Sequence, residues 1–162
     1  MDSLELRRVV GQFPSGVVVI TSAEPATGEL HGVTVNAFAS LSLEPPLVLV
    51  CVNRAAQSHD FLTAREHFAI NVLARRQIAI AERFAGRAPL VGREFADVPY
   101  TPGAGGAPLL CGSVAWLECR RSATYPGGDH SIIVGEVLNA TTGEDDDPLV
   151  YFGGAYASLT WG

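Results

Sequence analysis

The hydrophobic positions of this chain recur mostly with the period of β-strands and are interrupted by turn residues. Runs of apolar and β-branched residues predict strands over 15–22, 33–40, 47–52, 67–73, 113–125, 130–140 and 148–152. Apolar residues at helical spacing predict helices over 2–13 and 75–85, and Ser58 precedes a third, short helix that runs to about Glu66. Many short strands with few short helices indicate a mainly β (α+β) protein, arranged as a Greek-key barrel with helical decoration.

The stretch over 31–54 concentrates neutral polar side chains near the ends of two predicted strands. Pro45 and Pro46 withdraw backbone donors between these strands and predict an extended turn. A buried strand pair flanked by so many hydrogen-bonding groups suits a planar, polar heteroaromatic ligand better than a metal or a lipid. The groups are Thr34, Asn36, Ser40, Ser42, Asn53 and Arg54.

Length and charge exclude several classes of protein. At 162 residues the chain is expected to form one domain over 1–162, and 48% hydrophobic with 17% charged residues describes a globular protein. A net charge of −6 argues against a nucleic-acid partner, which requires a basic face. No apolar run approaches the roughly 20 residues that span a bilayer. The N-terminus carries acids and arginines where a signal peptide is apolar, so we expect no membrane association and a cytoplasmic location.

Catalytic motifs are scarce. The sequence contains no GxSxG elbow, no Walker loop and no HExxH pattern, and we expect no metal site. Cys51, Cys111 and Cys119 lack CxxC spacing and are expected to be reduced, buried thiols. Asp129-His130 could do acid–base work from a glycine turn, or could be a turn aspartate beside a surface histidine. Residues 53–58, at a helix start, could bind a phosphate or could be an ordinary loop and cap.

Seven segments in the same order resemble the flavin reductase family, the NAD(P)H:flavin oxidoreductases that supply reduced flavin to two-component monooxygenases. The resemblance covers nearly the whole chain. The segments are FPSGVVVIT over 13–21, GVTVNAFASLS over 32–42, PPLV over 45–48, Asn53-Arg54, FAINVL over 68–73, RFAG over 83–86, and Gly128-Asp129-His130 with Val134-Gly135.

This resemblance implies a homodimeric, FMN-binding split barrel, a six-stranded antiparallel Greek-key barrel with the flavin in a groove near the dimer interface. It places Ser58 on the ribityl phosphate, and His130 on the nicotinamide nucleotide with Tyr156 nearby. His130 is the implied catalytic residue, acting by positioning the nicotinamide. The residues implied to line the flavin groove are Thr34, Val35, Asn36, Ala37, Ser40, Leu41, Ser42, Cys51, Val52, Asn53, Arg83, Phe84 and Ala85.

The expected reaction is hydride transfer from NADH or NADPH to FMN or FAD, with the reduced flavin passed to an oxygenase component. This chemistry fits the lack of catalytic side chains, because the two stacked rings supply the reactivity at roughly 3–3.5 Å. Only Arg120 and Arg121 are close to His130 in sequence, which favours NADH. The last turn carries Ala155 and Ala157 where family members often place a basic side chain. The alternatives are a flavoprotein that keeps FMN bound and reduces an organic substrate, and a non-enzymatic ligand-binding barrel.

Overall fold

The computed structural model describes residues 1–87, 95–144 and 147–162. Residues 88–94, between the predicted helix over 75–85 and the predicted strand over 113–125, and residues 145–146, before the predicted strand over 148–152, lie outside the described residues. The α-helices of the described part are α1 (Ser3–Val10), α2 (His59–Ala64) and α3 (Ile78–Phe84). The strands are β1 (Ser15–Gly16), β2 (Val18–Ala23), β3 (Leu30–Val35), β4 (Phe38–Leu43), β5 (Pro46–Asn53), β6 (His67–Val72), β7 (Tyr100–Pro102), β8 (Pro108–Leu110), β9 (Ala115–Gly127), β10 (His130–Thr142), β11 (Val150–Phe152) and β12 (Ala155–Ala157).

One antiparallel sheet of seven strands organises the described residues, in the order β3-β2-β6-β9-β10-β5-β4. The prediction of a mainly β protein with short helices is confirmed. Strands β2 and β3, which fall in the first two predicted strand regions, pair antiparallel with each other. Strands β9 and β10 form a second, longer hairpin around Gly128 and Asp129. Gly128 has φ +69°, the conformation that a two-residue hairpin turn with glycine first requires.

The single strand predicted over 33–40 is wrong, because the structure contains two strands there. Strand β3 ends at Val35 and β4 begins at Phe38, and these strands lie at opposite edges of the sheet. Period-two alternation continues across the break, so the pattern gives no sign of a change of sheet edge. Two linking residues reach only about 7 Å. The sheet is therefore strongly curled, with its edges meeting at Asn36 and Ala37.

Two apolar clusters lie on the two faces of β2. Val18 and Ile20 belong to one cluster and Val17 and Val19 to the other, which includes Phe84 of α3. A strand that is buried on both faces needs a continuous apolar run, and this accounts for the β-branched sequence over 17–20. Helix α3 is thereby packed beside the end of β3, where the edges of the sheet meet.

The predicted helix over 75–85 is a 3₁₀ turn, Arg75–Gln77, followed by α3. Gln77 accepts the Ala74 N–H through Oε1 at 2.8 Å and donates to the Cys111 carbonyl at 3.1 Å, which ties the turn to a distant loop. Ala81 and Phe84 of α3 are buried, whereas Ile78, the first residue of α3, is 40% exposed.

Helix α1 is shorter than predicted and buries none of its residues. Asp2 caps it, accepting the Leu4 N–H at 3.3 Å, and the helix ends before Gly11. Its apolar side chains face solvent, among them Leu6, Val9 and Val10, each about half exposed or more. Within the described part of one chain, no other element therefore buries the apolar face of α1.

The three cysteines are free. Only Cys119 is buried, whereas Cys51 is half-buried and Cys111 is exposed, so the prediction of three buried thiols is wrong. Cys111 directly follows the short strand β8 at the surface. The general preference of cysteine for buried positions does not predict this exposure. None of the helices in the described ranges is long and apolar enough to cross a membrane.

Candidate functional site

Two adjoining cavities form one groove where the edges of the sheet meet, with volumes of about 340 Å³ and 650 Å³. The residues common to both are Thr34, Val35, Asn36, Asn53, Ala85 and His130. The smaller cavity is completed by Val33, Ala37, Cys51, Ala55, Ala56 and Phe84. The larger is completed by Arg7, Val10, Gly11, Phe13, Val17, Arg87, Tyr151, Gly154 and Tyr156.

Strand pairing brings the polar residues of the groove together. Asn53 ends β5 and His130 begins β10, and these two residues are directly opposite in the antiparallel ladder. Asn36 lies at the junction of β3 and β4, and the neighbouring Ala37 accepts the Cys51 N–H at 2.9 Å. Three segments far apart in sequence therefore present their ends to the same groove.

Helix α3 forms one wall, held in place by Thr34. The Thr34 hydroxyl donates to the Ala81 carbonyl at 2.7 Å, so its proton is used within the protein. Phe84 is fully buried beneath the groove. A Cβ at Gly32 would lie 2.8 Å from the Phe84 ring, closer than carbon atoms can approach, so this position needs glycine for packing.

The two amide side chains of the groove, Asn53 and Asn36, differ in how many hydrogen bonds they make within the protein. Asn53 Oδ1 accepts the Ala55 N–H at 2.8 Å, which leaves its NH₂ group for a ligand. The Asn36 side chain is exposed and makes no hydrogen bond to any residue that the structure describes. Such groups can donate to and accept from the polar edge of a planar heterocycle.

His130 is held by its neighbour in the hairpin turn. Its Nδ1 and Asp129 Oδ1 are 2.7 Å apart. The hydrogen bond from His130, with the charge of His130 second, holds the pKa of the Asp129 carboxyl below its usual range. Nε2 has no hydrogen-bond partner among the described residues, and the ring lines both cavities.

Tyr156 lines the larger cavity and donates to Glu82 Oε1 at 2.5 Å. Burial, followed by this hydrogen bond, raises the pKa of the phenol well above its ordinary value. Tyr156 is therefore neutral near pH 7 and its proton is already engaged. What Tyr156 offers to a ligand in the larger cavity is an aromatic ring and a hydroxyl lone pair.

The remaining implied site residues lie elsewhere. Ser40, Leu41 and Ser42 are on the edge strand β4 and line neither cavity, nor does Arg83 at the end of α3. Val52 is fully buried in the core. The groove therefore gathers ten of the implied residues: Thr34, Val35, Asn36, Ala37, Cys51, Asn53, Phe84, Ala85, His130 and Tyr156.

Ser58 precedes α2 as predicted, but its hydroxyl makes no capping hydrogen bond. The hydroxyl donates instead to the Gly32 carbonyl at 3.3 Å and lies 3.2 Å from His31 Nδ1. Ser58 therefore occupies the N-cap position of α2 without capping the helix through its side chain. Ser58 is only 3% exposed, because the loop before α2 packs it against β3.

The cationic residues of the groove were missed by sequence reasoning. Arg120 pairs with Glu136 and Arg121 donates to the Arg65 carbonyl, and neither lines a cavity. The larger cavity is lined by Arg7 and Arg87 together with His130. The premise that only Arg120 and Arg121 lie near His130 is therefore wrong, because it considered neighbours in sequence alone. Arg87 follows the helix-ending Gly86, but nothing local connects Arg7 with the hairpin turn.

Within the described residues, no group of three His, Cys, Asp or Glu side chains is placed to hold a metal ion. The groove is instead a polar slot with a buried aromatic floor and a histidine at its centre.

Comparison with known proteins identifies the class. Residues 10–160 match the family described as "Flavin reductase like domain". The chain belongs to this family.

Individual relatives are similar over nearly the whole chain. The NADH-dependent FAD reductase of Streptomyces globisporus is 44% identical over 160 residues, covering 96% of this chain and 85% of that protein. The FMN reductase (NADH) SmoA of Agrobacterium fabrum is 42% identical, covering 98% of this chain and 87% of that protein. The structure of the Streptomyces globisporus C-1027 NADH:FAD oxidoreductase SgcE6 in complex with NAD and FAD fragments superposes with a TM-score of 0.89, at 41% identity over 98% of this chain and 93% of that one.

Proposed function

We propose that this protein is an NADH-dependent flavin reductase that reduces FMN or FAD and supplies the reduced flavin to a monooxygenase. The observation that carries the proposal is the groove, which joins an amide-rich slot to a larger cationic cavity through His130. The names of the relatives support both substrates. A relative from Rhodococcus jostii, 35% identical over 159 residues, which make up 98% of this chain and 79% of that protein, is named as the reductase subunit of a flavin-dependent monooxygenase.

The residues of the groove fit a flavin ring. The floor is apolar at Phe84, and the free amide of Asn36 and the NH₂ group of Asn53 supply hydrogen bonds at the margin. Flavin and dihydronicotinamide supply the redox chemistry: the C4–H bond of the nicotinamide breaks, and the hydride carries both electrons to flavin N5. The chain's own task is to orient the two rings and to exclude water between them.

His130 is proposed to position the nicotinamide rather than to transfer a proton. Its hydrogen bond to Asp129 keeps the ring oriented, and Nε2 is left for the ligand. Hydride transfer requires no strong base, so a positioning group at the junction of the two cavities is sufficient. Tyr156 is proposed to contact the nucleotide from another wall of the larger cavity.

The other flavin contacts are proposed from the resemblance to the family. Ser58 would lie near the ribityl phosphate, and Val52 and Arg83 would support the groove from behind and beside it. Ser40, Leu41 and Ser42, on the edge strand β4, would complete the site in a homodimer whose interface passes close to the groove. We also propose that residues 1–162 form one split-barrel domain, in which β3 and β4 act as one interrupted strand of a six-stranded Greek-key barrel.

A coupled assay tests the function. NADH or NADPH is paired with riboflavin, FMN or FAD, and the loss of absorbance at the nicotinamide band is followed. We expect oxidation that depends on added flavin, with NADH preferred, and a purified protein that loses any yellow colour on dialysis.

Two outcomes would contradict the proposal. A protein that stays yellow through dialysis and needs no added flavin would be a flavoprotein with a permanently bound cofactor. A protein that binds flavin but leaves NADH and NADPH untouched would be a ligand-binding barrel.

A further inference from the structure

The larger cavity contains two arginines that are 80 residues apart in the sequence. Arg7 is on the last turn of α1, and Arg87 follows α3. Both line the cavity that also contains His130, Tyr151 and Tyr156. The smaller cavity, in contrast, has His130 as its one ionisable nitrogen base and no arginine among its lining residues. The groove is therefore divided into a neutral part and a cationic part.

Arg87 is fixed in place by the wall of the cavity. Its Nη1 lies 3.5 Å from Glu82 Oε1, the same oxygen that accepts the Tyr156 hydroxyl. A hydrogen bond with Tyr151, followed by attraction to nearby oxygen groups, outweighs burial and raises the pKa of the guanidinium. These contacts leave several of its five N–H donors unused.

Arg7 has no such partner. Its side chain makes no hydrogen bond and no ion pair within the ranges that the structure describes. Its charge reaches Asp129, where it contributes the smallest of the effects that lower the pKa of that carboxyl. An uncompensated guanidinium that lines a cavity beside a second guanidinium is an arrangement suited to an anionic ligand.

The positions of Arg7 and Arg87 indicate which substrate's phosphate groups they would contact, those of the flavin or those of the nicotinamide nucleotide. The smaller cavity ends at Ala55 and Ala56, on the loop before α2, where the flavin phosphate is proposed to lie. The cationic cavity extends from His130 in the other direction, toward Arg7 and Arg87. The strand β12 supplies no cation there, since it carries Ala155 and Ala157.

We infer that Arg7 and Arg87 bind the diphosphate of the nicotinamide dinucleotide, reaching it from α1 and from the end of α3. The inference rests on the proposed function of the same groove. Because NADH and NADPH share this diphosphate, the two arginines raise the affinity for both nucleotides and do not by themselves distinguish them.

The test compares Arg7→Gln and Arg87→Gln with Arg8→Gln, a change on the same helix to a residue that lines neither cavity. A charged hydrogen bond contributes enough that its loss should raise the KM for NADH about tenfold, with kcat changed much less. Arg8→Gln should leave both constants unchanged. With reduced nicotinamide riboside, which has no phosphate, all three variants should match the unmodified protein.

Replacing FMN with riboflavin distinguishes the source of the phosphate. If Arg7→Gln raises the KM for FMN but not for riboflavin, and leaves the KM for NADH unchanged, the arginines bind the flavin and the inference is overturned. Equal KM values for NADH in Arg7→Gln and Arg8→Gln would also overturn it. In both cases flavin-dependent NADH oxidation by the unmodified protein would leave the proposed function intact, whereas its absence would remove that function too.

Discussion

At the scale of single residues, most polar side chains around the groove are already committed to the protein. Thr34 donates to Ala81, Tyr156 donates to Glu82, and His130 is bound to Asp129. The groups left for a ligand include the amides of Asn36 and Asn53, one nitrogen of His130 and the guanidinium groups of Arg7 and Arg87. Such fixed side chains lose little entropy when a ligand binds, which favours orientation over proton transfer as their function.

The role of His130 can be separated from an acid–base role by kinetics. We expect His130→Ala to raise the KM for NADH about tenfold through the lost hydrogen bond and contact, while kcat falls much less. Arg8→Gln, which changes a residue that lines neither cavity, serves as the control and should leave both constants unchanged. A large loss of kcat at unchanged KM for NADH would show that His130 transfers a proton.

The three cysteines provide a second prediction. Burial, followed by the charge of Glu118, raises the pKa of Cys119 from its ordinary 9.0 to about 12, and burial also raises that of Cys51. Because the thiolate is the reactive form, exposed Cys111 should react first with a thiol reagent, Cys51 slowly, and Cys119 only on unfolding. Labelling followed by mass spectrometry gives the order.

Flavin extends this cysteine test to the site. Cys51 lines the smaller cavity, so added FMN should slow its labelling and leave Cys111 unaffected. Equal labelling of Cys51 with and without FMN would contradict the proposed flavin position.

The raised pKa of Cys119 also predicts that folding stability is retained below pH 9 and decreases as the pH rises toward 12, because the unfolded thiol ionises first.

At the scale of elements, the contact between β3 and α3 sets the floor of the groove. Gly32 and Phe84 allow the two elements to approach closely, and the Thr34 hydrogen bond fixes their relative position. A change at this contact should therefore affect both stability and ligand binding.

We expect Gly32→Ala to destabilise the protein by about 1–3 kcal/mol, because the new methyl group must displace the buried Phe84 ring. The matched control is Gly16→Ala, where nothing lies within 4 Å of the added carbon. Urea unfolding measures the free energy, and flavin fluorescence quenching measures the affinity, which should also fall for Gly32→Ala. Equal midpoints for the two variants would contradict the packing argument.

At the scale of the whole molecule, the apolar surface is concentrated where one chain gives it no partner. Helix α1 exposes Leu4, Leu6 and Val9, and the edge strand β4 exposes Leu43, which is 85% exposed. Exposed apolar side chains gathered on a helix and an unpaired sheet edge mark surfaces that associate. The groove is lined by Arg7 and Val10 of α1 and by Ala37, which directly precedes β4, in agreement with the proposed homodimer.

Light scattering coupled to size-exclusion chromatography tests the dimer. We expect twice the mass of one chain, and a shift toward monomer in the Leu6→Glu variant, because burying an unpaired carboxylate opposes association. Ala26→Glu adds the same charge in an exposed turn and should remain dimeric. A monomeric unmodified protein would contradict the proposal.

The sequence alone determined the local structure of this protein. β-branched runs and glycine or proline turns were sufficient to predict most strands, because period-two burial and turn conformation depend on neighbouring residues. Gly128, for example, marks the hairpin turn before the structure is known. The family resemblance, carried by short segments in order, was also present in the sequence.

Only the tertiary structure decided which strands are neighbours and what they bring together. The alternation over 33–40 continues through a point where the chain passes from one sheet edge to the other. Likewise, Arg7 near the start of the chain and Arg87 near its middle line the same cavity as His130 of a distant hairpin turn. Such contacts depend on the order of strands in the curled sheet, and no local pattern of residues encodes that order.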